Sequence, residues 1–569
     1  MKNGAQYIID FLLKKEVEMV FGYPGGQILN FYEYLGKSPL KHVLVRHEQG
    51  GAHAACGYAR ATGKPGVCLA TSGPGATNLV TGIADAYLDS IPLLAITGQV
   101  NLNDIGKDSF QEADITGIVT PVTKHSYLLE SLETLPEVLD EAWQVACGGR
   151  PGPVLIDVPK NLFLAEGEIA DSRQTLHTRK VKKADRTEEL MPKIMEALSK
   201  AKQPLILAGG GLVTAGACDL LIKLVEETGI PVVNTLMGKS AYPADQPLAL
   251  GMVGMHGVAA ANLALSNCDL LLCLGTRLSD RITGNRRQFL EEACIIHVDV
   301  DAAELQKNVD ANYCLQLDAR LFLQRILEEG NFKKNGDIAK WHQQIGQWQQ
   351  EHPLPTDFSG LLKPQEVILE AARQAGNKAI VVTDVGQHQM FVAQYYPIGR
   401  CRNFLTSGGL GAMGFGLPAA MGAAFGRPGE DVLLFVGDGG FQMTLQELAT
   451  IREHNLPVKV IILNNSTLGM IHQWQNVIFK KHYVASNLPA LPDFVKLAAA
   501  YDIPAVMAAT REELSQAMEF VLKTEGPVIA DFRVDGEELV LPFILPGGKP
   551  EDMLGRWQGE THLRSFSRK

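Results

Sequence analysis

At 569 residues the chain is too long for one hydrophobic core, and at about 150 residues per domain it divides into three or four. Its 46% hydrophobic and 20% charged content excludes a disordered chain. The net charge, 52 − 63 = −11, comes without a basic block and argues against a nucleic-acid partner, which leaves small ligands.

The amino terminus, MKNGAQYIIDFLLKKEVE, breaks its apolar run at Asp10 and reads as an amphipathic helix rather than a targeting segment. Strands are predicted at 43–46, 66–71, 92–97 and 153–158, several leading into glycine-rich turns, FGYPGG (21–26) and TSGPGATN (71–78). Arg46-His47-Glu48 ends one strand and opens a helix of small residues. A carboxylate buried there has a raised pKa and exchanges a proton with a ring nitrogen; equally, Glu48 is a first-turn glutamate favoured by the helix dipole. His47, Glu48 and His53 lack the H-E-x-x-H spacing of a zinc site. A polar stretch at 171–187 reads as a linker.

The middle third predicts strands at 204–211, 231–236, 269–275 and 295–301. Arg277 and Asp280 follow one of them; Arg277 either clamps a substrate carboxylate or sits in a salt-bridged loop. Residues 330–362, rich in Gln, Lys and Glu, read as a second linker. The last third predicts strands at 379–386, 431–439, 458–465 and 527–535. Residues 403–426 carry no charge, but their glycines and Pro418 make them a buried turn and packed helix rather than a membrane span. Within them Gly409-Leu-Gly411-Ala-Met-Gly414 matches G-x-G-x-x-G, which keeps a nicotinamide dehydrogenase as an alternative. Nine cysteines without a C-x-x-C pair suggest neither zinc cluster nor disulfide framework, and a cytoplasmic location. No fixed-period repeat is evident. The alternation of strand and helix implies an α/β protein of three doubly wound parallel-sheet domains, at 1–170, 188–335 and 363–545, with a tail at 546–569.

The most specific chemistry lies where one strand ends in Gly437-Asp438-Gly439 and the next in Asn464-Asn465. Parallel strands bring Asp438 and Asn465 to neighbouring carboxyl ends, the ligand-binding edge of such sheets. A carboxylate and an amide oxygen there suit Mg²⁺, and the glycines admit phosphate close to the backbone.

FGYPGG, RHEQGGAHAACGYARATGKPG, TSGPGATN, GKDSFQEADI, GMVGMHG, GTRLSDRITG, TDVGQHQM, TSGGLGAMGFGLPAA and GDGGFQMTLQELATIREHNLPVKVIILNN, from about residue 3 to 545, together resemble the large catalytic subunits of acetolactate (acetohydroxyacid) synthase, which use thiamin diphosphate. The resemblance implies a pyrimidine-binding, a central FAD-binding and a diphosphate-binding domain, with the cofactor between two subunits. It implies Mg²⁺ on Asp438, Asn465 and the Thr467 carbonyl. Cofactor contacts fall to Tyr23, Pro24, Gly25, Gln387, His388, Met413 and Met443, beside Gly437 and Gly439. Glu48 matches the glutamate that bonds the aminopyrimidine, and the resemblance decides between its two readings. Gln111, Lys124 and Arg277 match reaction-site residues, Phe110 and Trp474 the acceptor pocket, and Gly254, His256, Arg277 and Asp299 the flavin site. The implied reaction decarboxylates pyruvate and transfers the hydroxyethyl carbanion to a second pyruvate or to 2-ketobutyrate. The products, 2-acetolactate and 2-aceto-2-hydroxybutyrate, lead to branched-chain amino acids. A homodimer is the minimal unit; a tetramer and a small regulatory subunit are further possibilities, and neither nucleic acid nor membrane is a partner. Thr276, Leu278, Ser279 and His472 depart from the family pattern near the acceptor pocket, so a carboligase with another 2-ketoacid acceptor stays open, as does a flavin-linked pyruvate oxidase.

Overall fold

Three sheets of six strands each, all parallel, carry the chain. The computed structural model describes residues 2–167, 186–286, 289–330, 338–549, 552–555 and 564–565, so the linker expected at 171–187 lies almost wholly outside the described residues. The N-terminal sheet runs in the order Lys41–Leu44, Met19–Gly22, Gly66–Ala70, Leu93–Gln99, Pro153–Pro159, His125–Leu128. The C-terminal sheet runs Phe404–Leu405, Ile380–Thr383, Val432–Gly437, Val458–Asn464, Val528–Arg533, Ala505–Ala508. Numbered along the chain both are 2-1-3-4-6-5, a repeat of topology that leaves no repeat in the residues. The middle sheet, Ala249–Met252, Val232–Asn234, Pro204–Ala208, Leu270–Leu274, Cys294–Asp299, Tyr313–Gln316, is 3-2-1-4-5-6, the order of dinucleotide-binding folds. In each order the chain changes direction beside strand 1, between strands 1 and 3 of the outer sheets and 1 and 4 of the middle one, and at such a reversal the loops splay apart to leave a crevice at the strands' carboxyl ends.

The central strands are continuous apolar runs, buried on both faces because helices cover both. The N- and C-terminal units share one hydrophobic core, in which Val43, Ala54 and Ile83 join Val382, Leu417 and Phe441. Its axis is a pair of helices, Glu48–Thr62 and Gly416–Gly426, both almost wholly buried. A Cβ on Gly57 would overlap Ala419, and one on Gly422 would overlap Ala54, so only glycine permits this approach. The helical part of residues 403–426 is buried as expected, but the turn before it is not, since Gly408, Gly409, Leu410 and Gly411 are exposed. Among the described residues no helix is long and apolar enough to cross a membrane.

Two expectations need correction. The stretch 330–362 holds a 14-residue helix, Ile338–Glu351, in which Trp341 and Ile345 are buried with Trp348 beside them against the middle sheet. Its apolar residues recur at four and three positions, a helical stripe hidden by the surrounding glutamines. Cys218 and Cys401, 183 positions apart, form a disulfide between the middle and C-terminal units. Local spacing rules do not register a pairing that tertiary packing creates.

Candidate active site

At the reversal of the C-terminal sheet, the turns after Ile380–Thr383 and Val432–Gly437 enclose a cavity of about 240 Å³. Gln387, His388, Met413, Gly437, Asp438, Gly439, Asn465 and Thr467 line it. Asp438 Oδ1 accepts the Gly439 N–H at 3.0 Å, while Oδ2 is buried without a partner. Burial pushes this carboxyl up to about 6 against the pull of its backbone N–H bonds. His388 Nε2 is likewise buried and unpartnered, and burial pushes its pKa down to about 4, so the ring is neutral at pH 7. Asn465 Oδ1 accepts the Thr467 N–H at 3.0 Å and its amide donates to Gln387 Oε1 at 3.3 Å. Gln387 is itself fixed by donating to Gln473 Oε1 and to the Glu538 carbonyl, both at 2.9 Å. Between Asn465 and Thr467, Ser466 takes a left-handed conformation (φ 56°), local strain of the kind that functional turns retain. A glycine-walled cavity with unpartnered buried polar atoms fits a diphosphate and a cation. Among the described residues no three His, Cys, Asp or Glu side chains form a metal cluster. Asp438 with neighbouring amide and carbonyl oxygens would make a hard, oxygen-only donor set of the kind Mg²⁺ prefers.

A second group stands at the reversal of the N-terminal sheet. Tyr23, Pro24 and Gly25 follow the strand Met19–Gly22, and Gly25 packs on Thr71, which a Cβ there would meet at 2.5 Å. Glu48 opens the helix Glu48–Thr62. Asn78 Nδ2 donates to Glu48 Oε2 at 3.0 Å, and Oε1 lies 3.2 Å from where a Cβ on Gly75 would stand. Glu48 is half-buried rather than enclosed, because the helix begins at the open edge of the sheet. Gln111 joins this group through its carbonyl, which lies against Gly73, and holds a left-handed φ of 61°. Among the described residues, none before Pro364 lines the 240 Å³ cavity.

A third crevice, about 780 Å³, opens at the reversal of the middle sheet and is closed by the other two units. Arg277, His256 and Asp299 line it from the middle unit, Leu88 and Arg150 from the N-terminal unit, Gly409 and Trp474 from the C-terminal one. Gly211 and Gly275 stand back to back, a Cβ on either falling 2.6 Å from the other, which keeps backbone exposed at the crevice floor. Arg277 Nη1 donates to the Leu88 carbonyl at 2.7 Å, and the next residue, Leu278, is buried at φ 48°. Burial pushes Asp299 up to about 6 and His256 down to about 3. Trp474 Nε1 and His256 Nδ1 are buried without partners. Gly254 does not line the crevice; its φ of 102° turns the chain beneath it.

Three family profiles match the chain: thiamine pyrophosphate enzyme N-terminal TPP binding domain over residues 2–118, central domain over 191–326 and C-terminal TPP binding domain over 384–532. The chain is 43% identical over 558 residues to the acetolactate synthase isozyme 2 large subunit of Escherichia coli (strain K12), covering 97% of this chain and 99% of that one. It is 44% identical over 571 residues to the acetolactate synthase large subunit of Cyanidium caldarium, covering 98% and 97%. To the chloroplastic acetolactate synthase 1 of Oryza sativa subsp. japonica it is 43% identical over 575 residues, covering 98% and 89%. The chain belongs to the acetolactate synthase large-subunit family. It is a thiamine pyrophosphate (thiamin diphosphate) enzyme of α/β fold.

Not every residue that the family resemblance selects is brought to a cavity. The Lys124 ammonium donates to the Val145 carbonyl and, at 2.8 Å, to the Gly148 carbonyl. It caps the carboxyl end of the helix Leu135–Cys147 and lines neither cavity. Phe110 is 81% exposed and Met443 51% exposed, outside both cavities. The G-x-G-x-x-G match is not a dinucleotide turn. Its last amide is occupied by Asp384, whose two oxygens each accept the Gly414 N–H at 3.0 Å, and ten residues separate the strand Phe404–Leu405 from the helix Gly416–Gly426. Asp384, Asn78 and Gln473 escaped sequence reasoning although each holds a site residue or its loop. Asp384, at the strand end in TDVG, was the one with a visible signal.

Proposed function

We propose that the chain makes 2-acetolactate from two pyruvates, and 2-aceto-2-hydroxybutyrate from pyruvate and 2-ketobutyrate, with Mg²⁺ and FAD beside thiamin diphosphate. The observation that carries the reading is the glycine-walled cavity with Asp438 Oδ2 and His388 Nε2 buried and unpartnered, in a chain of this family. In this reading 1–170, 188–335 and 363–545 are the pyrimidine-, FAD- and diphosphate-binding units, with 546–569 as a tail. Asp438, Asn465 and the Thr467 carbonyl hold Mg²⁺; Gln387 and neutral His388 meet the diphosphate. Thiamin diphosphate supplies a carbon nucleophile and an electron sink for the loss of carbon dioxide.

The protein's part is positioning and proton movement. Asn78 occupies Glu48 Oε2 and so leaves Oε1 to bond the aminopyrimidine nitrogen and pass a proton to or from it. Met413, on the cavity wall, would pack against the cofactor. Arg277, anchored through one nitrogen to Leu88, has the rest of its fork for the acceptor carboxylate. Trp474 walls the acceptor pocket and favours the longer 2-ketobutyrate. The dinucleotide-type strand order and the 780 Å³ crevice support FAD on the middle unit, with His256, Arg277 and Asp299 around it.

Glu48 and Asp438 stand at different reversals of one chain, and Tyr23, Phe110 and Met443 are exposed apolar residues around them. That supports a homodimer in which each cofactor lies between the N-terminal unit of one subunit and the C-terminal unit of the other. The test is product identification under nitrogen, with thiamin diphosphate, Mg²⁺, FAD and pyruvate, with and without 2-ketobutyrate. Acetolactate, shifting to acetohydroxybutyrate when 2-ketobutyrate is added, is the expected result. No carboligation product from cofactor-loaded protein rejects the reading, and oxygen-dependent turnover of pyruvate in air points to an oxidase instead.

A further inference from the structure

The loop 407–414 borders both cavities: Gly409 and Leu410 line the larger, Met413 the smaller and Gly411 both. It has no regular structure, so its shape depends on where its backbone N–H groups bond. Its far end is held from within its own unit, by Asp384 on Gly414. Its near end is held from the N-terminal unit. Asp89, last residue of the helix Val80–Asp89, accepts the Gly408 N–H on Oδ2 at 3.0 Å and the Gly409 N–H on Oδ1 at 2.6 Å. Arg60 Nη2 donates to Asp89 Oδ2 and Asp85 Oδ2, each at 2.9 Å, and the Ser407 hydroxyl donates to Asp85 Oδ1. All three charged side chains are buried. One carbonyl earlier, Leu88 holds Arg277.

The charge count shows what Asp89 is for. Arg60 Nη2 stands 2.9 Å from both carboxyls, and its one charge balances only one of them. Burying a second is costly unless its charge meets donors of its own, and the donors are the two loop N–H groups.

We propose that Asp89 is a positioning residue: it sets the loop that carries Met413, and the Leu88–Asp89 corner holds that loop in register with the Arg277 guanidinium across the two cavities. The proposal rests on the reading that the smaller cavity takes thiamin diphosphate.

Asp89→Asn keeps the volume and leaves a neutral Arg60–Asp85 pair, but it turns an amide donor toward one of the two loop N–H groups. Two charge-assisted hydrogen bonds are at stake, so the Kd for thiamin diphosphate, titrated calorimetrically with Mg²⁺ present, is expected to rise at least about tenfold. The same variant should lose about tenfold or more in kcat while KM for pyruvate stays within about twofold, since Arg277 keeps its backbone anchor. Gly409→Ala strains the same contact from the loop side, its Cβ falling 2.7 Å from Asp89 Oδ1, and removes no charge. It is expected to raise the Kd likewise and decides the matter if Asp89→Asn does not fold. An unchanged Kd in the folded variants, with or without a fall in Tm, overturns the positioning role. Wild-type protein that takes up no thiamin diphosphate removes the underlying reading, and the proposal with it; loss confined to the variants is a failure of positioning alone.

Discussion

Glu447 shows how much a single side chain does that its sequence position does not announce. It belongs to the C-terminal unit and is completely buried, yet both its oxygens lie 3.1 Å from the backbone N of Arg46, two residues before Glu48. A Cβ on Gly50 would collide with it, so the helix that Glu48 opens is built around this carboxyl. Burial pushes Glu447 up to about 7, outweighing the backbone N–H bonds from Arg46 and His47 that pull it down. An acid whose folded pKa is raised contributes its full stability below the unfolded pKa, near 4.5, and loses it as pH climbs through about 7. The wild-type chain should therefore lose about 3 kcal/mol of stability from this group between pH 4.5 and 7.5, at 1.36 kcal/mol per unit. Glu447→Gln should flatten that slope; identical urea midpoints against pH in the two proteins would count against the buried acid. Asp438 and Asn465 were legible because strand ends and spacing announce them. Glu447 and Asp89 were not, since their partners are backbone N–H groups of distant segments and a sequence does not show which amides converge; Asp384 showed its strand-end position but not its partner. Lys124 illustrates the reverse: a resemblance carries over a residue type, and here the ammonium serves a helix end.

Elements follow the same logic of what is visible along one chain. All twelve strands expected from apolar runs formed; eleven are central strands, which are buried on both faces and read as unbroken runs, and Lys41–Leu44 is an edge. Six strands of the three sheets were not expected: His125–Leu128, Ala249–Met252, Tyr313–Gln316, Phe404–Leu405 and Ala505–Ala508 are sheet edges, while Met19–Gly22 is central and buried but only four residues long. Glycine has opposite meanings in two helices. In Gly416–Gly426, Gly422 lets two helices touch backbone to backbone, so Gly422→Ala must push them apart in the core shared by two units. That change is expected to cost several kcal/mol, of the order of an overpacked core site or more. In Ile338–Glu351, a Cβ on Gly346 meets nothing within 4 Å. Gly346→Ala should gain about 0.5–1 kcal/mol from helix propensity and chain entropy. Thermal unfolding of the two variants checks the pair: equal shifts of the same sign would show that the contacts around these glycines do not decide their effect.

At the scale of the whole molecule, the topology divides the residues proposed for the reaction site between two sheets. The first and third sheets share one strand order, each has its own crevice, and the helices Glu48–Thr62 and Gly416–Gly426 join the two sheets in one core. That packing is rigid, since glycines at its contacts leave no slack, so a single chain has no hinge by which to bring Glu48 to the cavity that Asp438 lines. In the proposed homodimer a second copy related by a two-fold axis would supply the missing half twice over, because an isologous contact repeats itself. Complementation tests this directly. Glu48→Gln and Asp438→Asn should each lose at least about tenfold in turnover, the first by losing the proton-transferring carboxylate and the second by weakening Mg²⁺ and cofactor retention. In a mixed dimer of the two variants, one site combines both defects, while the other combines the intact Glu48 of one subunit with the intact Asp438 of its partner. Co-refolding or co-expression should then restore activity well above either variant alone, with one competent site in each heterodimer. If both residues served a site within one chain, every site in the mixture would carry one defect. Activity would then stay at the level of the separate variants.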